Sequence, residues 1–122
     1  MTTLADRRCV PCEGGVPPLE RTQAEALAPQ VPGWTLSDDA RALSRTFRFR
    51  RFLDGIAFVN RVAALAEEEN HHPDITIRYR RVTFTLTTHA IGGLSENDFI
   101  MAAKIDRLWA ETAGSAETQG PA

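Results

Sequence analysis

From Leu43 to Arg50 the chain alternates. Leu43, Phe47 and Phe49 fall on one side and Ser44, Thr46, Arg48 and Arg50 on the other, with Arg45 out of step. A period of two predicts a strand with one buried face. From Phe52 the period lengthens. Phe52, Ile56, Val59, Val62, Ala63 and Ala66 recur at three- and four-residue spacings, which predicts a helix over about 52–69 with one apolar stripe. Gly55 costs that helix about 1 kcal/mol relative to Ala, and Pro73 limits how far it can run. Alternation then returns twice. Ile75, Ile77 and Tyr79 oppose Thr76, Arg78 and Arg80, and Val82, Phe84 and Leu86 oppose Thr83, Thr85 and Thr87. These are two half-buried strands of one antiparallel hairpin. A two-residue loop at Arg80-Arg81, though poor in the residues such turns favour, pairs Tyr79 with Val82, Ile77 with Phe84 and Ile75 with Leu86.

Shorter signals complete the order. Thr22 and Glu25 form a capping-box pattern that starts a helix, and Pro29 and Pro32 end it. Trp34 to Leu36 reads as a short strand and Asp38-Asp39 as a turn. After Gly92-Gly93, Ser95 is placed to cap a last helix with Asp98 at its third position, and Leu94 and Phe99 form a hydrophobic staple. Phe99, Ala102, Ala103 and Leu108 are its apolar stripe. The order α-β-β-α-β-β-α predicts an α+β two-layer domain: a four-stranded antiparallel sheet with three helices on one face. The folding unit is expected over residues 19–111. Residues 1–18, rich in Pro and Gly, and 112–122, small and polar, read as flexible arms.

Composition narrows the functional classes. At 122 residues, 43% hydrophobic and 25% charged, the chain is an ordinary single globular domain. Fourteen basic against sixteen acidic residues leave a net charge of −2, which argues against nucleic-acid binding by bulk charge. Arg45, Arg48, Arg50 and Arg51 interleave with Phe47, Phe49 and Phe52, a pattern that suits single-strand binding, but strand alternation explains it more simply. No apolar run approaches the roughly 20 residues of a membrane span. No leader-like apolar stretch opens the chain, so a cytoplasmic location is expected. Cys9 and Cys12 form one CxxC, too few ligands for a four-coordinate zinc site. They read as inert thiols, with a zinc or disulfide role as the alternative.

The chemistry concentrates in three histidines, His71, His72 and His89. Carried outward, the hairpin register sets Pro73 opposite Thr88 and His72 opposite His89, with Cβ atoms about 5 Å apart. His71 sits beside them at the end of the long helix. Clustered imidazoles serve either a metal site or metal-free acid–base chemistry. Successive side chains on extended chain diverge, so His71-His72 is an awkward pair of ligands for one ion. Plainer roles exist for the neighbours. Glu67 lies four residues before His71 and pairs with it on one helical face. Helix capping suffices for Asp98. Tyr79 fits the buried strand face, and the Glu67–Glu69 run reads as a solvated helix end.

In sum, Glu67, His71, His72, Pro73, Tyr79, His89 and Asp98 stand at the spacings of a long signature that resembles the pterin-4a-carbinolamine dehydratases. Phe58 to Val62, the Pro32-Gly33-Trp34 segment and the Cys9-Cys12 arm are similar to bacterial members. Ala90 departs from them, since relatives usually carry an acid after the last histidine. The resemblance implies dehydration of 4a-hydroxytetrahydrobiopterin, a product of aromatic amino acid hydroxylases, to quinonoid dihydropterin, in support of tetrahydrobiopterin recycling. It implies acid–base roles for His71 and His89, with His72 placing the pterin. Asn70, Pro73, Thr87, Thr88, Glu67 and Asp98 are the implied substrate contacts. No metal and no cofactor are expected, the pterin being the substrate. A homodimer or homotetramer built by sheet extension, and a functional link to a hydroxylase, are also implied. The competing reading is a non-catalytic binding or assembly protein on the same fold, like a transcription coactivator or a RuBisCO assembly factor.

Overall fold

The structure, a computed structural model, describes residues 3–10 and 16–112. Its helices are α1 (Arg21–Leu27), α2 (Phe52–Glu69) and α3 (Glu96–Glu111). Its strands are β1 (Thr35–Leu36), β2 (Leu43–Arg48), β3 (Asp74–Arg78) and β4 (Arg81–Leu86). Short 3-10 turns lie at Leu4–Asp6, Ala28–Gln30 and His89–Ile91. The four strands form one antiparallel sheet in the order β1-β2-β4-β3. This is the expected α+β domain. Among the described residues no helix is long and apolar enough to cross a membrane.

Alternation puts Leu43 and Phe47 of β2 and Val82, Phe84 and Leu86 of β4 on the helix side, all fully buried. Phe47 is the centre of an aromatic cluster, with ring centroids 5.2 Å from Phe58 and 5.0 Å from Trp109. Arg45, out of step in the pattern, lies on this inner side as well. Its guanidinium sits 4.5 Å from the Phe47 ring centroid and 2.7 Å from Asp106 Oδ1, which also accepts the Trp34 indole N–H. Burial raises the Asp106 carboxyl above its ordinary range, against the opposite pull of Trp34 and Arg45.

Several expectations are corrected. α1 starts at Arg21, because Glu20 and Gln23 form the capping box and Thr22 lies inside the helix. The buried line of α2 is Gly55, Phe58, Val62, Ala66 and Glu69, so the stripe is rotated from the expected one and leaves Phe52 and Ala63 exposed. Gly55 eases the close packing on that line. A Cβ there would meet the Phe49 ring at 3.3 Å and Val82 at 3.4 Å.

The hairpin register is shifted by two. Arg78 pairs with Arg81, Ile77 with Val82 and Ile75 with Phe84, and Tyr79-Arg80 make the turn. A two-residue slip keeps every side chain on its own face, so alternation alone does not distinguish the two registers. Tyr79 consequently leaves the strand. It takes a left-handed φ of 52°, is 70% exposed, and stacks on Phe52 instead of entering the core.

α3 begins as expected. Ser95 and Asp98 form its capping box, and Leu94 and Phe99 are fully buried. The helix is buried more widely than its predicted stripe, at Ile100, Met101 and Ile105 as well. Residues 3–10, expected within a flexible arm, pack along α3 and place Leu4 in the core. Cys12 and residues 113–122 of the expected C-terminal arm lie outside the described residues.

Candidate active site

The histidines converge because two chain reversals meet. At the end of α2 the chain leaves the helix through Asn70, which adopts left-handed φ 53°, ψ 41°. Asn is among the few side chains that tolerate this conformation. Its N–H and that of His71 still bond back to the helix carbonyls, so the exit angle is set. At the other reversal β4 ends at Leu86, and Thr88 forms an isolated bridge with Gly93. The residues between bulge out as a 3-10 turn that begins with His89 and closes at Gly92, φ 70°.

Between these reversals lies a cavity of about 320 Å³. His71, His72 and His89 all line it, with Asn70, Thr87 and Thr88. Ala90, Val10 and Asn97 complete the wall. The expected opposition of His72 and His89 is not what joins them. The ladder between β3 and β4 stops at Asp74–Thr85, and the true register continues toward Thr87, not His89. The cavity is shared through the turns.

Asp98 anchors one side. It is fully buried, and its Oδ1 lies 2.6 Å from His71 Nε2. Its Oδ2 accepts the Ser95 N–H at 2.9 Å and the Thr88 hydroxyl at 2.8 Å. A carboxylate accepts only, so Nε2 of His71 carries a proton toward it, and Nδ1 is the acceptor of the neutral ring. Thr88 Oγ1 spends its one proton on Asp98, so the Ser95 hydroxyl donates to Thr88 across 2.8 Å. Capping is therefore not the sole role of Asp98. The carboxylate that starts α3 also holds His71, whose side chain is 11% exposed.

The other ring is held differently. His72 Nε2 bonds to Glu67 Oε2 in an exposed pair. Glu67 does not pair with His71 as expected, because the left-handed residue Asn70 ends helical geometry between them. His89 is exposed. The Thr87 hydroxyl donates to the Arg41 carbonyl at 2.7 Å. Of the expected contacts, Glu67, Pro73 and Asp98 do not line the cavity. Val10 and Asn97 were not expected there, since nothing in the local pattern ties an N-terminal arm to the first turn of α3. Nor is the acidic run simply solvated. Glu69 is 6% exposed and accepts the Cys9 N–H at 2.8 Å. Burial, and next the Glu69 charge, push the Cys9 thiol up to about 12. Among the described residues no cluster of three or more His, Cys, Asp or Glu is arranged to hold a metal ion.

The cavity lined by three histidines thus lies beyond one end of the β3–β4 hairpin of the four-stranded antiparallel sheet, in an α+β domain. A model of the pterin 4 alpha carbinolamine dehydratase family matches residues 17–108, and the chain belongs to that family. A relative from Halorhodospira halophila named for this dehydratase is 54% identical over 108 residues, 88% of this chain and 99% of its own. One from Rubrobacter xylanophilus is 55% identical over 108 residues, covering 88% and 100%. Among solved structures, a transcriptional coactivator/pterin dehydratase from Brucella melitensis superposes with a TM-score of 0.70 at 32% identity, over 75% of this chain and 97% of that one. A pterin dehydratase-like protein identified as a RuBisCO assembly factor in the alpha-carboxysome gives 0.55 at 29% identity, over 69% and 93%.

Proposed function

We propose that this chain dehydrates 4a-hydroxytetrahydropterins, with 4a-hydroxytetrahydrobiopterin as the physiological type, in support of tetrahydrobiopterin recycling. The observation that carries the reading is the convergence of His71, His72 and His89 on one cavity, with His71 held by a buried carboxylate. The elimination breaks the C4a–O bond and forms a C4a–N5 double bond. One group protonates the departing hydroxyl, which leaves as water, and another takes the N5 proton. His71 and His89 are the acid–base pair, and His72 places the ring. Imidazole suits both directions of transfer near neutral pH. The reaction as written needs neither metal nor cofactor.

His71→Ala and His89→Ala are expected to slow turnover by about 10²-fold or more each, above the non-enzymatic background. His72→Ala raises KM more than it lowers kcat, and chelators leave the rate unchanged. Full activity in the double variant lacking His71 and His89 overturns the reading. So does a chelator-abolished activity that zinc restores.

The second reading is a non-catalytic binding or assembly role on the same fold, supported by the likeness to the assembly factor. Turnover by the purified chain decides between them. In either role the chain is expected to self-associate. β1 and β3 are sheet edges, and β3 is exposed throughout, with Ile75 and Ile77 on its flank. Light scattering at micromolar concentration reads a dimer or tetramer; a monomer contradicts this.

A further inference from the structure

The segment Thr3–Val10 is tied down by Glu69 and Asn97, which neighbour site residues in the chain, and by Lys104 and Arg107 further along α3. Glu69, the last residue of α2, accepts the Cys9 N–H and lies 3.4 Å from Arg8 and 3.8 Å from Lys104. Two residues on is His71. Asn97, 4% exposed, takes the Val10 backbone from both sides: its Oδ1 accepts the N–H at 2.9 Å and its Nδ2 donates to the carbonyl. The next residue is Asp98, which holds His71. Lys104 donates to the Ala5 carbonyl at 3.0 Å and Arg107 to Asp6 at 2.8 Å, so the whole segment is strapped along α3.

The two large aliphatic side chains of this strap are placed differently. Leu4 is 5% exposed and supplies the core contact, whereas Val10 is 64% exposed. A buried carboxylate and a buried amide are costly to desolvate. Here they clamp the backbone at Cys9 and Val10, beside a side chain that adds nothing to the core. Val10 does line the histidine cavity, and with Ala90 it is the apolar part of a wall otherwise made of His, Asn and Thr. A flat heterocycle with polar edges needs such a surface against its face.

We propose that Val10, held in place by Asn97 and Glu69, is a specificity-determining wall of the active site that sets how tightly substrate binds, not how fast protons move. Asn97 and Glu69 are then positioning residues. The proposal rests on the dehydratase reading.

Val10→Trp tests it without disturbing the core, since the side chain is exposed. The unfolding midpoint stays put, KM rises about tenfold and kcat changes little. Asn97→Ala frees the arm. KM rises in the same sense, and in a Cys12→Ser background Cys9 reacts faster with a thiol reagent. Asn97→Asp restores the acceptor for the Val10 N–H alone and falls between. Either of two results overturns the proposal. One is an unmoved KM in a folded Val10→Trp protein. The other is an Asn97→Ala protein that exposes Cys9 yet binds substrate normally, which makes the arm a structural strap only. A wild-type chain without turnover overturns the dehydratase reading itself, whereas an active wild type with an unaffected Val10→Trp overturns this proposal alone.

Discussion

The β3–β4 hairpin has a histidine end and an arginine end, and they differ in how their charged groups are held. Each borders a cavity of similar size, about 320 Å³ at the histidines and about 290 Å³ beside Arg48, Arg78, Tyr79, Arg80 and Arg81. At the first, buried Asp98 ties His71, Thr88 and the start of α3 into one network. At the second, Arg48 pairs with Arg81 and Arg81 with Arg78, which puts three like charges in one row across three strands. Arg78 and Arg81 have no ion pair among the described residues. Like charges directly opposed are unfavourable, and water screens them here. Volume and charge are thus present at both ends. What sets the histidine end apart is a fully buried carboxylate, which holds the His71 ring.

Asp98→Asn should collapse that difference most. The amide still accepts from Ser95 and Thr88, but it presents an N–H to His71 and reverses the ring's proton. Turnover should fall by about 10²-fold, with a stability loss of about 1–3 kcal/mol for the buried charge-assisted bonds, read by urea unfolding. Unchanged turnover would return Asp98 to capping alone.

The arm side of the histidine end has its own pH signature. Burial, and next the Glu69 charge, push the folded Cys9 thiol up to about 12, above the ordinary thiol range. In that window the native state binds more protons than the unfolded one, so stability falls as pH rises above about 9. Cys9→Ser should flatten that decline relative to wild type in denaturant titrations at pH 8 and 10. An identical slope in both proteins contradicts the docked arm.

The arginine end should give the smallest effect and the opposite sign. Arg81→Thr removes the middle charge of the row, so stability should rise by about 0.2–1 kcal/mol at low salt. The gain should shrink as salt is added, while turnover stays at the wild-type level. A loss of activity would mean the two ends are coupled.

Local pattern determined a good deal of this protein. Alternation identifies the inner faces of β2 and β4, the long apolar period bounds α2, and Ser95 with Asp98 marks the start of α3, because each rests on neighbours within one or two turns of chain. The signature around His71, His72 and His89 likewise identifies the family. Tertiary structure decided the rest. The hairpin register needed it because a slip of two leaves alternation unchanged, and Tyr79 moved from core to turn with that slip. α2 turned its Gly55–Phe58–Val62 line inward, where the close approach of Phe49 and Val82 favours a glycine. Glu69 and Asn97 look like ordinary polar residues along the chain. They became buried clamps only when residues 3–10 came back across α3, and so placed Val10 beside histidines more than sixty positions away in sequence. Such contacts depend on which surfaces meet after folding, and a periodicity read within one element carries no information about them.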